Sequence, residues 1–336
     1  MTSRILISRT DGIGDVVLTL PLAGFLKKQL PNSKISFLCS EYSKPVVERS
    51  AHVDAIVNWT HLSSLPKENK LSVFQEFDTI IHVFPNKIVA SLAKEAKIAL
   101  RVGTSHRWFH WFTCNRMVNF SRKSSTLHEA QLNFKLLQPL GFKDIPVLGD
   151  ICGFYGINAI ADQSVENYYA KDKFNIVLHP KSKGNGREWS IDNYNKLIQL
   201  LNHTKYKIFI TGSESERKDI TPLFVNNPMV IDMVGKLPLE QFVTFLSGID
   251  LFISAGTGPL HLSAALGKKV IGMFPPIKPI YPARWAPLGV QATYMVNGRS
   301  SCGICQKGGS CACVNSLTPE EVFGNIKKLL NSNVQC

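Results

Sequence analysis

Short apolar, β-branched runs alternate along the chain with longer stretches in which apolar residues recur every three or four positions. The short runs predict strands at 4–8, 34–39, 54–58, 78–83 and 99–103. A second series follows at 175–179, 206–211, 229–232, 250–254 and 269–273. Helical patterns fall between them, near 15–30, 43–50, 62–76 and 86–97, then near 191–203, 215–226, 238–247 and 258–267. Strands alternating with helices predict βαβ units and parallel sheets, and two such series predict two Rossmann-like domains. The boundary is expected within 145–173, which Pro146, Gly149, Gly153 and Gly156 punctuate before the polar stretch 162–173. The expected division is therefore 1–160, 161–317 and a terminal segment 318–336. That segment opens on Thr318-Pro319-Glu320-Glu321, a capping box with proline at the first helical position. Val322, Ile326, Leu329 and Leu330 then form one apolar stripe.

Composition narrows the class. Apolar residues make up 44% of 336 residues and charged ones 19%, as in a globular protein with sizeable cores. No apolar run has the length of a membrane span, and the chain opens straight into a strand-like segment rather than a secretory leader. A cytoplasmic protein is expected. Net charge is +13. Residues 1–165 carry 19 Lys/Arg against 13 Asp/Glu, and residues 166–336 carry 19 against 12, so the excess is spread. A basic surface suits nucleotides, a phosphorylated glycolipid, an acidic membrane face or nucleic acid. No zinc-finger or RNA-binding signature supports nucleic acid.

Four motifs lie where a strand hands over to a helix, the edge at which open α/β sheets bind ligands. Arg9-Thr10-Asp11-Gly12-Ile13-Gly14-Asp15 follows the first strand. It is not the three-glycine dinucleotide fingerprint, because Asp15 occupies the helix start and repels phosphate. Asp15 suits accepting a proton or a sugar hydroxyl; helix capping is the alternative. His179 to Ser190 holds Lys181, Lys183 and Arg187 among two glycines, a composition for a diphosphate or for a solvated loop. Trp189 within it reads as a packing residue. Ser254-Ala255-Gly256-Thr257-Gly258-Pro259-Leu260-His261 turns into a helix whose start can hold an anion. His261 in its first turn is either a ligand contact or a packed structural residue. Thr211 to Arg217 offers Glu214 and Glu216 for ribose hydroxyls, or simply acids at a helix N-terminus.

Two further features stand apart. Cys302, Cys305, Cys311 and Cys313 are numerous enough for a structural zinc ion, but lack paired C-x2-C spacing. A reduced thiol cluster or reversible disulfide is the alternative. The stretch 101–123 mixes Arg101, Arg107, Arg116, Arg122 and Lys123 with Trp108, Phe109 and Trp111. It reads as an anionic-ligand surface or as a basic loop with its aromatics in the core.

Together these motifs resemble glycosyltransferase family 9, the ADP-heptose:lipopolysaccharide heptosyltransferases. The resemblance is carried by Gly14-Asp15-x4-Leu20-Pro21, His179-Pro180…Arg187-x-Trp189, Thr257-Gly258-Pro259-Leu260-His261-Leu262 with Ala264-Ala265-Leu266-Gly267, and Phe274-Pro275-Pro276…Trp285-x-Pro287-Leu288-Gly289. It implies a GT-B fold, two Rossmann-like domains facing across a cleft, with the final helix packing back on the first. It implies acceptor binding by the first domain, with Asp15 as general base; Gly14 beside it and, from the basic stretch 101–123, Arg107, Arg122 and Lys123 are the acceptor-side candidates. It implies donor binding by the second, through His179, Lys183, Arg187, Glu214, Glu216, Thr257, Gly258 and His261. The implied reaction is inverting transfer of heptose from ADP-heptose to an anionic lipopolysaccharide core acceptor. No metal is required, and peripheral contact with the inner membrane face is expected. Many members have Asp before the Thr-Gly pair; here that position is Gly256, which leaves another nucleotide sugar and glycan open. A non-catalytic nucleotide-sugar-binding homologue is the other alternative, and a nicotinamide oxidoreductase lacks its fingerprint.

Overall fold

The computed structural model describes residues 3–158, 162–184, 186–298, 302 and 312–331. The chain divides into two units, Met1–Asn158 and Ala159–Cys336. The first is built on six parallel strands: β1 (Arg4–Ser8), β2 (Lys34–Cys39), β3 (Ala55–Asn58), β4 (Thr79–His82), β5 (Leu100–Thr104) and β6 (Arg116–Val118), in the order β3-β2-β1-β4-β5-β6. The central strand is apolar on both faces, and Ile5, Leu6 and Ile7 are buried, as a sheet covered by helices on each side requires.

The second unit repeats the plan. Its strands are β7 (Phe174–His179), β8 (Tyr206–Ile210), β9 (Ile231–Asp232), β10 (Leu251–Ala255), β11 (Lys269–Phe274) and β12 (Ala292–Val296), ordered β12-β11-β10-β7-β8-β9. Counted within each unit, the first strand lies beside the fourth in both, the doubly wound order of a Rossmann sheet. Strand order reverses at β1/β4 and at β7/β10, so the loops leaving those pairs diverge and open a crevice within each unit.

Two strands escape the sequence pattern. β6 has three residues beginning with an exposed arginine, and β12 is a half-buried edge strand with no continuous apolar run. Two expected helices are broken by proline. The stretch 15–30 divides into Ile13–Val17 and Leu20–Gln29, with Pro21 in the first turn of the second helix. The stretch 62–76 divides into Trp59–Ser64 and Lys67–Phe74 at Pro66.

The last helix, Pro319–Asn331, has the expected capping box. The Thr318 amide donates to Glu321 Oε2 (2.8 Å), and the Glu321 amide donates to Thr318 Oγ1 (3.2 Å). Val322, Ile326 and Leu330 lie in the second unit's own core with Trp189, Tyr194 and Ile198, against the helix Ile191–Leu200. Among the described residues no helix is long and apolar enough to cross a membrane.

Candidate functional site

In the first unit the crevice is dominated by a residue absent from the sequence-based candidates. Arg9, 4% exposed, leaves the end of β1 and gathers three carboxylates. Its Nε and Nη2 donate to Asp11 at 2.7 and 3.0 Å, and Nη2 also donates to Asp15 Oδ1. Its Nη1 reaches Glu129 Oε1 and Asn133 Oδ1, both at 3.5 Å. Glu129 is fully buried on the helix Glu129–Lys135 and is also paired with Arg122. Arg122 further donates to Asn133 Oδ1 (3.1 Å) and the Val83 carbonyl (3.3 Å), which ties the loop after β4 to the cluster. Asn133 turns its amide to the Leu18 carbonyl (3.1 Å) and Thr19 Oγ1 (3.2 Å). Buried charges persist only when paired and hydrogen-bonded, and each of these is.

Asp15 sits in the first turn of the helix Ile13–Val17, whose N-cap is Gly12. Its carboxylate is partly exposed, 29%, with one oxygen on Arg9. It is thus oriented by Arg9 and stays in part accessible to solvent. Gly14 beside it is half-buried, while Arg107 and Lys123 are exposed. Arg122 is the deepest of the three basic acceptor candidates, with the donors named above directed inward.

In the second unit the loop after β7 is pinned from several sides. Glu188 accepts from the Ser182 amide (2.7 Å) and hydroxyl (2.9 Å), and pairs with Lys181 (2.6 Å). Glu216 reaches across from the turn after β8. It accepts from the Lys183 amide (3.0 Å), the Ser213 amide (2.9 Å) and the Ser213 hydroxyl (2.6 Å). Burial alone would raise the Glu216 pKa; these bonds outweigh it and hold the carboxyl below the usual range. Lys183 (φ 51°) and Gly184 (φ 78°) turn left-handed at the loop tip, where both are exposed. His179 shares a hydrogen bond with Thr211 Oγ1 (2.8 Å), and burial lowers its pKa to about 4, so it is neutral near pH 7. Glu214 is exposed and paired with Arg217. Trp189 is a packing residue: buried, edge-on to Tyr194, its Nε1 donating to the Leu317 carbonyl (2.9 Å).

This loop meets the turn after β10. A Cβ on Gly186 would lie 3.3 Å from the Gly256 carbonyl oxygen, so backbone packs on backbone. Thr257 caps the helix Gly258–Ala265, accepting from the Leu260 amide (3.4 Å) and sharing a bond with Ser254 (3.0 Å). His261 is buried in the first turn with Trp285 beside it. The structure therefore brings His179, Lys183, Glu216, Thr257 and Gly258 to one crevice, with half-buried Arg187 on the same loop. A side chain at Gly256 would need its neighbour to shift. A Cβ there would stand 2.7 Å from the ring of buried Phe274, which fills the space a side chain would take. Of the four clustered thiols, Cys313 is buried and Cys302 partly so; Cys305 and Cys311 lie outside the described residues. Among the described residues no group of His, Cys, Asp or Glu is arranged to hold a metal ion.

The sequence model of glycosyltransferase family 9 (heptosyltransferase) matches residues 73–313. A Haemophilus influenzae protein, provisionally named only as a glycosyltransferase, is 28% identical over 301 residues, 85% of this chain and 86% of that one. Lipopolysaccharide heptosyltransferase 3 of Escherichia coli is 22% identical over 299 residues, 81% and 84% of the two chains. Among solved structures, E. coli ADP-heptose lipopolysaccharide heptosyltransferase II superposes with a TM-score of 0.78 at 15% identity, covering 98% of each chain. A family 9 glycosyltransferase from Veillonella parvula gives 0.76 at 19%, covering 98% of this chain and 97% of that one. Two parallel Rossmann sheets, a crevice at each reversal of strand order, and a family match spanning both units make this chain a GT-B glycosyltransferase of family 9.

Proposed function

We propose that this enzyme transfers heptose from ADP-heptose to a lipopolysaccharide core acceptor with inversion, and that Asp15 is the general base. The observation that carries the reading is the partly exposed Asp15 carboxylate, set by buried Arg9 at the strand-order reversal of the first unit. Its relatives support the sugar. The E. coli structures include a heptosyltransferase named with ADP and one named with ADP-2-deoxy-2-fluoro heptose.

In the reaction, the acceptor hydroxyl oxygen attacks the anomeric carbon while the bond from that carbon to the diphosphate oxygen breaks. The electron pair leaves with ADP, and the hydroxyl proton goes to Asp15. A single displacement inverts the anomeric centre. Arg187, Lys183 and the start of the helix Gly258–Ala265 oppose charge developing on the diphosphate, work that preorganised donors do without a metal. Glu216, with neutral His179 nearby, faces the ribose. Arg107 and Lys123 supply positive charge toward an anionic acceptor, with Gly14 allowing close approach, while Arg122, turned inward to Glu129 and Asn133, holds the wall of the site.

The test is incubation with ADP-heptose and extracted core acceptor, read by ADP release and by the mass and anomeric configuration of the product. ADP release with a heptose mass increment and inverted configuration is expected; no ADP release under any donor–acceptor pair would leave only a binding protein. Gly256 favours one second reading, a different nucleotide sugar, because Phe274 occupies the space where a side chain would otherwise reach the donor. Product formation from another nucleotide sugar in preference to ADP-heptose is its signature.

A further inference from the structure

The charges gathered at the carboxyl end of β1 do not balance. Arg9 and Arg122 bring two guanidinium groups, and Asp11, Asp15 and Glu129 bring three carboxylates. A guanidinium keeps its proton at any working pH. With every acid ionised, these five side chains therefore hold one negative charge more than their cations offset, and uptake of one proton brings them to balance.

Where that proton goes follows from how the guanidinium hydrogens are shared. Asp11 takes the Nε–Nη2 edge of Arg9 through both oxygens, at 2.7 and 3.0 Å, a bidentate pair. Glu129 is 1% exposed and accepts from Arg122 as well as from Arg9 Nη1 (3.5 Å), so both guanidinium groups serve the most deeply buried acid. A carboxylate at that depth stays charged only with such partners. Asp15 has a third claim on Arg9, through Nη2, and at 29% is the most exposed of the three acids. Asp15 is thus the carboxylate left to take the proton. The neighbouring side chains leave this count as it is. His128 accepts from the Ala130 amide at Nδ1 (3.2 Å), which leaves its ring neutral. Lys135, in the last turn of the same helix, turns its ammonium toward the Phe120 ring (6.0 Å). Asn133 offers the two guanidinium groups a neutral carbonyl oxygen.

We propose that Glu129 is a positioning residue that keeps Asp15 basic. By drawing on Arg9 and Arg122 it leaves the Arg9 charge shared, so that Asp15 is oriented by the guanidinium without being fully neutralised by it. The role rests on Asp15 as the general base and supplies what sets the strength of that base.

The test is the pH dependence of kcat/KM, whose acid limb reports the base of the free enzyme. Beside it stands carboxyl-carbon NMR of aspartate-labelled protein, in which the Asp15 signal is the one missing from Asp15→Asn. Rates are taken only where the melt shows folded protein. Glu129→Gln keeps the shape and removes the charge. It should move the acid limb and the Asp15 titration down by about one pH unit and lower the plateau rate, since Arg9 then serves Asp15 more fully. Arg122→Gln should move both up by about as much, because Glu129 then draws on Arg9 alone. Glu129→Asp keeps the charge and should stay closer to the parent than Glu129→Gln. Loosened packing would shift the two glutamine variants the same way, so shifts of one sign overturn the proposal. A Glu129→Gln titration at the parent's position overturns it as well. If Glu129→Gln does not fold, an absent or downward shift in Arg122→Gln is enough to reject it. Parent-like turnover in Asp15→Asn would instead overturn the general base, and the Asp15 carbon titration would still decide whether Glu129 governs its proton.

Discussion

At the turn after β1, a buried guanidinium gathers carboxylates; at the loop after β7, the equivalent place in the second sheet, carboxylates gather amides, a hydroxyl and a half-exposed lysine. Arg9 is 4% exposed and holds Asp11, Asp15 and Glu129. Glu216 and Glu188 hold backbone N–H groups of the loop at Ser182 and Lys183. The first arrangement fixes a partly exposed carboxylate, Asp15, at the strand end. The second fixes a loop whose remaining amides and cations are the ones proposed above to meet the donor diphosphate. One strand order thus serves two chemistries, because topology determines where the crevice lies and the residues at the strand ends determine what it attracts.

The sharpest way to break this contrast is to neutralise Asp15. Asp15→Asn should lower turnover by about 10²–10⁴, with ADP affinity and melting temperature near the parent's, since Arg9 keeps Asp11 and Glu129. Initial rates beside calorimetry decide; normal turnover would reduce Asp15 to a helix-start residue.

Stability should separate the two clusters next. Glu129→Ala leaves Arg9 and Arg122 facing a cavity and should cost about 3–5 kcal/mol in denaturant unfolding. Lys181→Ala removes the partly exposed pair with Glu188, where about 0–1 kcal/mol is expected. Equal losses would mean that burial does not distinguish them.

On the donor side, Arg187→Ala should weaken ADP binding about ten- to a hundredfold, the worth of one charge-assisted hydrogen bond to phosphate. Unchanged affinity by titration calorimetry would remove Arg187 from the crevice.

Acid should weaken both units through histidines kept neutral. Burial lowers the pKa of His82, at the end of β4, to about 3, with His110 and Arg101 nearby acting in the same sense. Burial likewise brings His179 to about 4 against a slight opposing pull from Glu216. The unfolded chain binds these protons more tightly, so the stability they contribute is full above about pH 6.5 and is lost as pH falls toward those values. Melting temperature from pH 7 to pH 4.5 should decline, and less steeply when His82 is replaced by leucine; parallel curves would assign the decline to other groups.

The smallest effect expected is none. Excess chelator should leave the initial rate unchanged, because the residues proposed to meet the diphosphate are cations and backbone amides rather than paired carboxylates for a divalent ion. Any metal held by the thiols of Cys302 to Cys313 would be structural and would show as a lowered melt and in elemental analysis. Lost activity with an unchanged melt, restored by magnesium, would overturn the metal-independent reaction.

The local sequence was sufficient for most of the architecture. Continuous apolar runs such as Ile5-Leu6-Ile7 can be buried on both faces only in a parallel sheet, so β1, β2, β4 and β7 were legible, as was the Thr318–Glu321 cap. β6 and β12 were not, because short edge strands need no apolar run. The Asp15 turn, the His179 loop and the Thr257 turn were visible as strand-to-helix junctions, but their neighbours were not. Arg9 and Glu129 are 120 residues apart, and no local periodicity links a charge at the end of β1 to one on a helix beyond β6. Gly256 could be seen in the sequence, but its reason, the ring of Phe274, could not. The last helix showed its stripe but not its partner. Secondary structure follows from contacts three or four residues away, whereas the pairing of buried charges and the fit of a ring against a glycine depend on packing that only the folded chain brings about.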